Sequence, residues 1–179
     1  MKASITIMPG DGVGPEITRE AVKVLQAVET IFDHDFLLKE VLFGGIAIDE
    51  TGSPYPEETQ RSCKSSDAVL LGAVGGPKWS DPNMKVRPEK EGLLEMRAHL
   101  GVYANIRPIK TYPQLIENSP IKNRYLDNID MVFVRELTGG IYFGKKEKTE
   151  SSASDICEYS KTEIERITRV AANIAQGRR

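Results

Sequence analysis

The feature that most restricts the fold is an alternation of short apolar runs with segments of helical periodicity, repeated across the first hundred residues. Residues 4–8 read as a short apolar strand, 9–14 as a glycine-rich turn, and Pro15 opens a helix where proline is tolerated. Ile17, Ala21, Val24, Leu25 and Val28 then recur at helical spacing and predict one apolar face. Residues 36–43 read as a second strand, 56–66 as a polar helix, and 69–74 as a third, buried strand bounded by Asp67 and by Gly75 and Gly76. Strands alternating with helices predict an α/β sheet. The turn Gly10-Asp-Gly-Val-Gly14 invites a dinucleotide reading. A Rossmann fingerprint, however, needs glycine at position 15, where this chain has Pro15, so a true Rossmann fold is not expected.

Residues 75–88, rich in glycine, proline and lysine, predict a long loop, and 91–100 resume helical patterning. Beyond Gly101 the style changes. An apolar run over 129–135 predicts a buried strand, 140–146 and 156–160 read as arms of a hairpin, and the charged stretch 145–150 with nearby serines reads as its tip. The last predicted helix covers 161–176, with Ile164, Ile167, Val170, Ala171 and Ile174 on one face and Gly177 as terminator. The expected division is a first α/β part over 1–100 and a second part over 101–179 carrying the hairpin arm at about 140–160.

A formal net charge of −2, with 40% hydrophobic and 28% charged residues, gives no basic patch for nucleic acid, and no apolar run approaches the ~20 residues that span a bilayer. Neither nucleic acid nor membrane is expected as a partner. Cys63 and Cys157 lack metal-type spacing and read as buried or free thiols, which suits a cytoplasmic protein. His34 and His99 read as surface residues, and Glu57 and Glu58 as a solvated helix face.

Candidate chemistry centres on three arginines. Arg135 ends the apolar run before Glu136, two glycines and Tyr142; Arg107 precedes Pro108; Arg97 follows Gly92-Leu-Leu-Glu-Met. A guanidinium fork suits bidentate carboxylate binding, so convergent arginines would favour a small di- or tri-acid. Taken singly, Arg97 also reads as a solvated helix residue, Arg107 as a loop charge, Leu93 and Leu94 as core, and Tyr142 as a core or interface aromatic.

Five ordered motifs carry a resemblance. They are Met8-Pro-Gly-Asp-Gly-Val-Gly-Pro-Glu16, Leu71-Gly-Ala-Val-Gly-Gly-Pro-Lys-Trp79, Gly92-Leu-Leu-Glu-Met-Arg97, Asn105-Ile-Arg-Pro108 and Arg135-Glu-Leu-Thr-Gly-Gly-Ile-Tyr-Phe-Gly144. In them the chain resembles the isopropylmalate dehydrogenases, within the β-decarboxylating dehydrogenase family that includes isocitrate dehydrogenase. The resemblance implies that Arg97, Arg107 and Arg135 clamp the malate carboxylates, that Leu93 and Leu94 meet the branched alkyl group, and that Tyr142 protonates the enolate left by decarboxylation. It further implies that Val13 and residues Gly72, Ala73, Val74, Gly75 and Gly76 lie beside NAD. One departure stands out: Pro88-Glu-Lys-Glu-Gly92 is one residue longer than the family's Pro-Glu-x-Gly approach, which leaves open the register before Gly92 and any acidic contact to the cofactor.

By the same resemblance, the expected reaction is NAD-dependent oxidative decarboxylation of 3-isopropylmalate to 4-methyl-2-oxopentanoate in leucine biosynthesis, in a homodimer. Family members are longer chains, and their general-base lysine and their aspartates for magnesium or manganese match no segment here, so this stretch is expected to be a truncated, inactive two-domain architecture with no metal ligands of its own. A complementing C-terminal polypeptide in a split enzyme, or a non-catalytic dicarboxylate-binding protein, are the alternatives.

Overall fold

A computed structural model describes residues 1–81 and 84–178. The chain divides into two compact units, Met1–Leu100 and Gly101–Arg179.

The first unit is built on three parallel strands, β1 (Lys2–Gly10), β2 (Asp35–Glu40) and β3 (Ala68–Ala73), in the order β2-β1-β3. Central β1 buries Ile5, Thr6, Ile7 and Met8 in succession, as a strand covered on both faces must. Buried Thr6 satisfies its hydroxyl with Ser62 and Ser66, at 2.8 and 2.5 Å, which ties β1 to helix α3 (Glu57–Ser65). Helix α1 (Gly14–Phe32) begins within one residue of Pro15 and stops at Asp33, which adopts a left-handed conformation. Its inward face differs from the expected one. Thr18 is buried and Ala21, Val22, Leu25 and Val28 are partly covered, whereas Ile17 and Val24 point outward.

The core of this unit is Met8, Phe43, Tyr55, Cys63 and Met96, with Leu71, Leu93 and Leu100 packed against it. Phe43 and Tyr55 meet edge to face at 5.7 Å, and Cys63 Sγ lies 3.6 Å from Met8 Sδ. Burial pushes both the Tyr55 phenol and the Cys63 thiol above their ordinary values. Cys157, in the second unit, is exposed.

A helix absent from the sequence reading, α2 (Gly45–Thr51), follows β2. The segment read as plain helix is a π-helix over Pro88–Leu94 that passes into α4 (Glu95–Leu100). A π-turn holds one residue more than an α-turn, and the five-residue Pro88 to Gly92 approach lies within it. Glu91 closes the start of that turn, accepting from the Arg87 amide at 2.7 Å.

In the second unit β4 (Ala104–Lys110), also unforeseen, pairs antiparallel with β5 (Asp130–Glu136). The expectation of a buried strand over 129–135 fails on one side. Val132 and Val134 are partly covered, while Met131 is 44% and Phe133 54% exposed. Helix α5 (Lys161–Gln176) packs against β5. Its N-terminus is a capping box in which Ser160 and Glu163 satisfy each other's backbone amides. Arg166 sits on its covered side, and Ile164, expected there, is 54% exposed. The hairpin is displaced from the expected arms at 140–146 and 156–160: its strands, β6 (Lys146–Lys148) and β7 (Ala153–Asp155), lie in the stretch expected to form the tip, residues 140–142 form a 3-10 turn, and 156–160 form no strand. Among the described residues no helix is long and apolar enough to cross a membrane.

Candidate functional site

Two loops of the first unit meet at the carboxyl ends of β1 and β3. The Asp11 amide donates to the Ala73 carbonyl at 2.7 Å. A Cβ on Gly10 would fall 1.9 Å from that same carbonyl, and one on Gly14 only 2.1 Å from the Pro9 carbonyl, so the loops touch backbone to backbone. Gly72 takes part in this internal contact, since its Cβ would meet the Pro9 carbonyl at 2.3 Å and the Thr18 hydroxyl at 2.4 Å. Its lack of a side chain therefore serves loop packing first. Ala73, Val74, Gly75 and Gly76 are half-buried, and Val13, at the start of α1, is 55% exposed. On the far side of Gly75 stands the Glu89 carboxylate, with Oε1 2.0 Å from where a Cβ would lie.

The loop continues into Lys78 and Trp79, both fastened to α2. Asp49 accepts from Lys78 Nζ at 2.6 Å and from Trp79 Nε1 at 3.3 Å, and the Lys78 hydrogen bond holds its carboxyl below the usual range. The indole lies against Gly45, 2.3 Å from where a Cβ would be. In the same unit Arg97 is partly covered on α4, Leu93 packs on the core and Leu94 is partly buried. His99, exposed at the end of α4, still hydrogen-bonds the Tyr55 hydroxyl at 3.0 Å.

The second unit carries the other two arginines. In the β4–β5 ladder Asn105 stands opposite Arg135, and Arg107 opposite Phe133. Cross-strand partners and residues two apart share a face, so Arg107 and Arg135 project from one side of this ribbon. Arg107 Nε donates to the Asn105 side-chain oxygen. Arg135 lies over the ring of Tyr142, 5.3 Å from its centroid.

The opposite face is tied to α5 by Glu136. Arg166 donates twice to its carboxylate, at 3.0 and 2.8 Å, and also to the Thr138 hydroxyl, while its guanidinium covers Tyr103 at 4.4 Å. Burial raises the Glu136 carboxyl, but hydrogen bonds from Arg166 and Thr138 outweigh it and the net direction is downward. Consecutive residues thus have opposite duties, Arg135 on the open face and Glu136 on the packed one. The turn leading to Tyr142 is fixed as well. Gly140 donates to the Glu158 carbonyl at 2.9 Å and lies against the Tyr159 hydroxyl.

The sequence matches the isocitrate/isopropylmalate dehydrogenase family over residues 4–179. The chain belongs to that family. Among curated relatives, the 3-isopropylmalate dehydrogenase of Bacillus caldotenax is 54% identical over 179 residues, 98% of this chain and 49% of the relative. That of Bacillus subtilis strain 168 is 48% identical over 185 residues, 100% of this chain and 50% of the relative. The β-decarboxylating dehydrogenase of Thermococcus kodakarensis in its apo form superposes with a TM-score of 0.69 at 31% identity, covering 97% of this chain and 46% of that one. For the isocitrate dehydrogenase of Methylococcus capsulatus the TM-score is 0.71 at 27% identity, covering 97% and 47%. This member of the isocitrate/isopropylmalate dehydrogenase family, an oxidoreductase family of α/β fold, spans about half the length of the curated relatives it matches.

Proposed function

We propose that these residues form the carboxylate-binding and nicotinamide-facing part of a 3-isopropylmalate dehydrogenase, acting in the cytoplasm in leucine biosynthesis. The observation that carries the reading is the pairing of Arg107 and Arg135 on one open ribbon face with Tyr142 stacked on Arg135, in a chain about half identical to 3-isopropylmalate dehydrogenases. Guanidinium forks match carboxylates in shape and charge. Arg107 and Arg135 bind carboxylate of the malate core, and Arg97, carried by the first unit, is a carboxylate-binding residue on the same chemical grounds. Leu94, and Leu93 where its side chain leaves the core, accept the branched alkyl group. Tyr142 holds the phenolic proton that the enolate takes after carbon dioxide departs.

Residues 72–76 and Val13 suit the cofactor by position, because they lie at the carboxyl ends of β1 and β3, where open α/β sheets take their ligands. NAD bound there supplies the acceptor for the C2 hydride. Among the described residues no group of three or more His, Cys, Asp or Glu side chains is placed to hold a metal ion. The magnesium or manganese of the reaction, its aspartates and the general-base lysine are assigned to residues beyond these 179, whether in the same polypeptide, a complementing one or the partner of a homodimer.

The test is NADH formation from 3-isopropylmalate by this chain alone and mixed with a polypeptide matching the relatives' remaining half. Turnover only in the mixture is expected. Turnover by the chain alone overturns the division of labour, and neither turnover nor 3-isopropylmalate binding in the mixture overturns the assignment.

A further inference from the structure

Asp11 is a buried acid, 4% exposed, that the mechanism above leaves unused. Its carboxylate gathers three backbone amides from two distant loops. Gly45 donates to Oδ2 at 2.6 Å, Ile46 to Oδ1 at 2.6 Å and Gly75 to Oδ2 at 3.2 Å. Gly45 and Ile46 are the first residues of α2, whose amides have no partner inside the helix, and an anion there is favoured by the helix dipole as well. The room for it comes from Gly44, where a Cβ would lie 2.5 Å from Oδ2 and where φ of 82° excludes most side chains.

The third bond is the informative one. Gly75 has φ of 96°, with its amide turned to Asp11 and its Cα turned to the Glu89 carboxylate. Ordinary loop packing does not require a charged group here, because α2 is already joined to this loop through Asp49, Lys78 and Trp79. What Asp11 adds is the orientation of the Val74–Gly75 peptide, at the centre of the proposed cofactor face. Asp11 also fixes its own loop, with its amide on Ala73 and its carbonyl accepting from Gly14 at 2.8 Å.

We propose that Asp11 is a positioning residue for cofactor binding: it locks the 73–76 loop to the start of α2 and so presets the surface that NAD meets. This rests on the assignment of residues 72–76 to the cofactor. The test is amide hydrogen exchange and calorimetric NAD titration on the whole chain and on Asp11→Asn, which keeps size but places a donor among three donors. In the wild type, the Gly45, Ile46 and Gly75 amides should be protected; exchange at the rate of open loops overturns the proposal whether or not the variant folds. In Asp11→Asn, exchange over 44–46 and 73–76 should quicken, and the NAD dissociation constant rise, by about tenfold or more, as expected for losing a charged hydrogen-bond acceptor. The β4–β5 amides should not change. Unchanged exchange in those segments, or loosened segments with unchanged NAD affinity, overturns it. Absence of NAD binding by the wild type is a failure of the cofactor assignment instead, and the exchange data then decide the positioning role alone.

Discussion

The Arg135 guanidinium carbon stands 5.3 Å from the centroid of the Tyr142 ring. An aromatic face attracts a cation while leaving its N–H groups in the guanidinium plane free in direction, so the stack orients the fork without using up its donors. The same contact holds a half-exposed phenol beside the proposed carboxylate site. The charge and the proposed proton source are therefore positioned by one interaction.

Arg135→Leu is expected to weaken binding of 3-isopropylmalate by about ten- to a hundredfold, the range for a lost hydrogen-bonded charge. Arg135→Lys should recover only part of that, because an ammonium is a point charge that lacks the planar fork. Calorimetric titration of the three proteins distinguishes these outcomes, and equal affinities would remove Arg135 from the site.

Tyr142→Phe keeps the ring under Arg135 and deletes the hydroxyl. Substrate affinity should stay within a few-fold, while turnover in the mixture with the complementing polypeptide should fall by about 10²–10⁴, the usual contribution of a general acid. Steady-state kinetics give both numbers. A large loss of affinity with normal turnover would make Tyr142 a binding residue only.

The Glu136–Arg166 pair ties the strand to α5, with the carboxylate side chain only 7% exposed. Glu136 titrates below its ordinary value of 4.5 in the folded chain, so it binds protons more weakly there than when unfolded. Its stabilisation is fully present above that ordinary value and is lost as pH falls through the lower folded value. Glu136→Gln should cost about 2 kcal/mol at pH 7. The difference should shrink below pH 4.5, which urea unfolding of both proteins at several pH values would show. A constant difference across that window would argue against the ion pair as its source.

Gly14→Ala tests the packing of the 9–14 loop on itself and against Ala73. The added methyl would fall 2.1 Å from the Pro9 carbonyl and 2.8 Å from that of Ala73, both backbone atoms that cannot swing aside. A loss of about 1–3 kcal/mol is expected for such overpacking, read as a lower melting temperature. An unchanged melt would show that this packing is looser than described.

Local signals account for the elements that were readable in the sequence. Helix α5 is legible at its full length because Ile164, Ile167, Val170, Ala171 and Ile174 repeat at helical spacing and Gly177 follows it, whereas the capping box of Ser160 and Glu163 emerges only in the structure. Helix α2 went unseen because seven residues beginning with glycine carry too little periodicity, and because its N-terminus is satisfied by Asp11, thirty-four positions earlier. Strand β4 was obscured by Pro108, which removes a donor from the ladder. The arginines could be named from the sequence, but the shared face of Arg107 and Arg135 depends on strand register, and register is a property of the pairing. Asp11 carries no local signal in the sequence, because its proposed role rests on the conformation of three separate segments.

The chain contains a single tryptophan, and it lies in the loop that leaves Gly75 and Gly76, with its indole on Gly45. Its emission is therefore a local gauge built into the protein. Undocking of this loop from α2 exposes the indole to water and shifts its fluorescence to longer wavelength, while the rest of the sheet can remain folded. A red shift that precedes the loss of far-ultraviolet ellipticity on heating would mark the proposed cofactor face as the first part of the molecule to open.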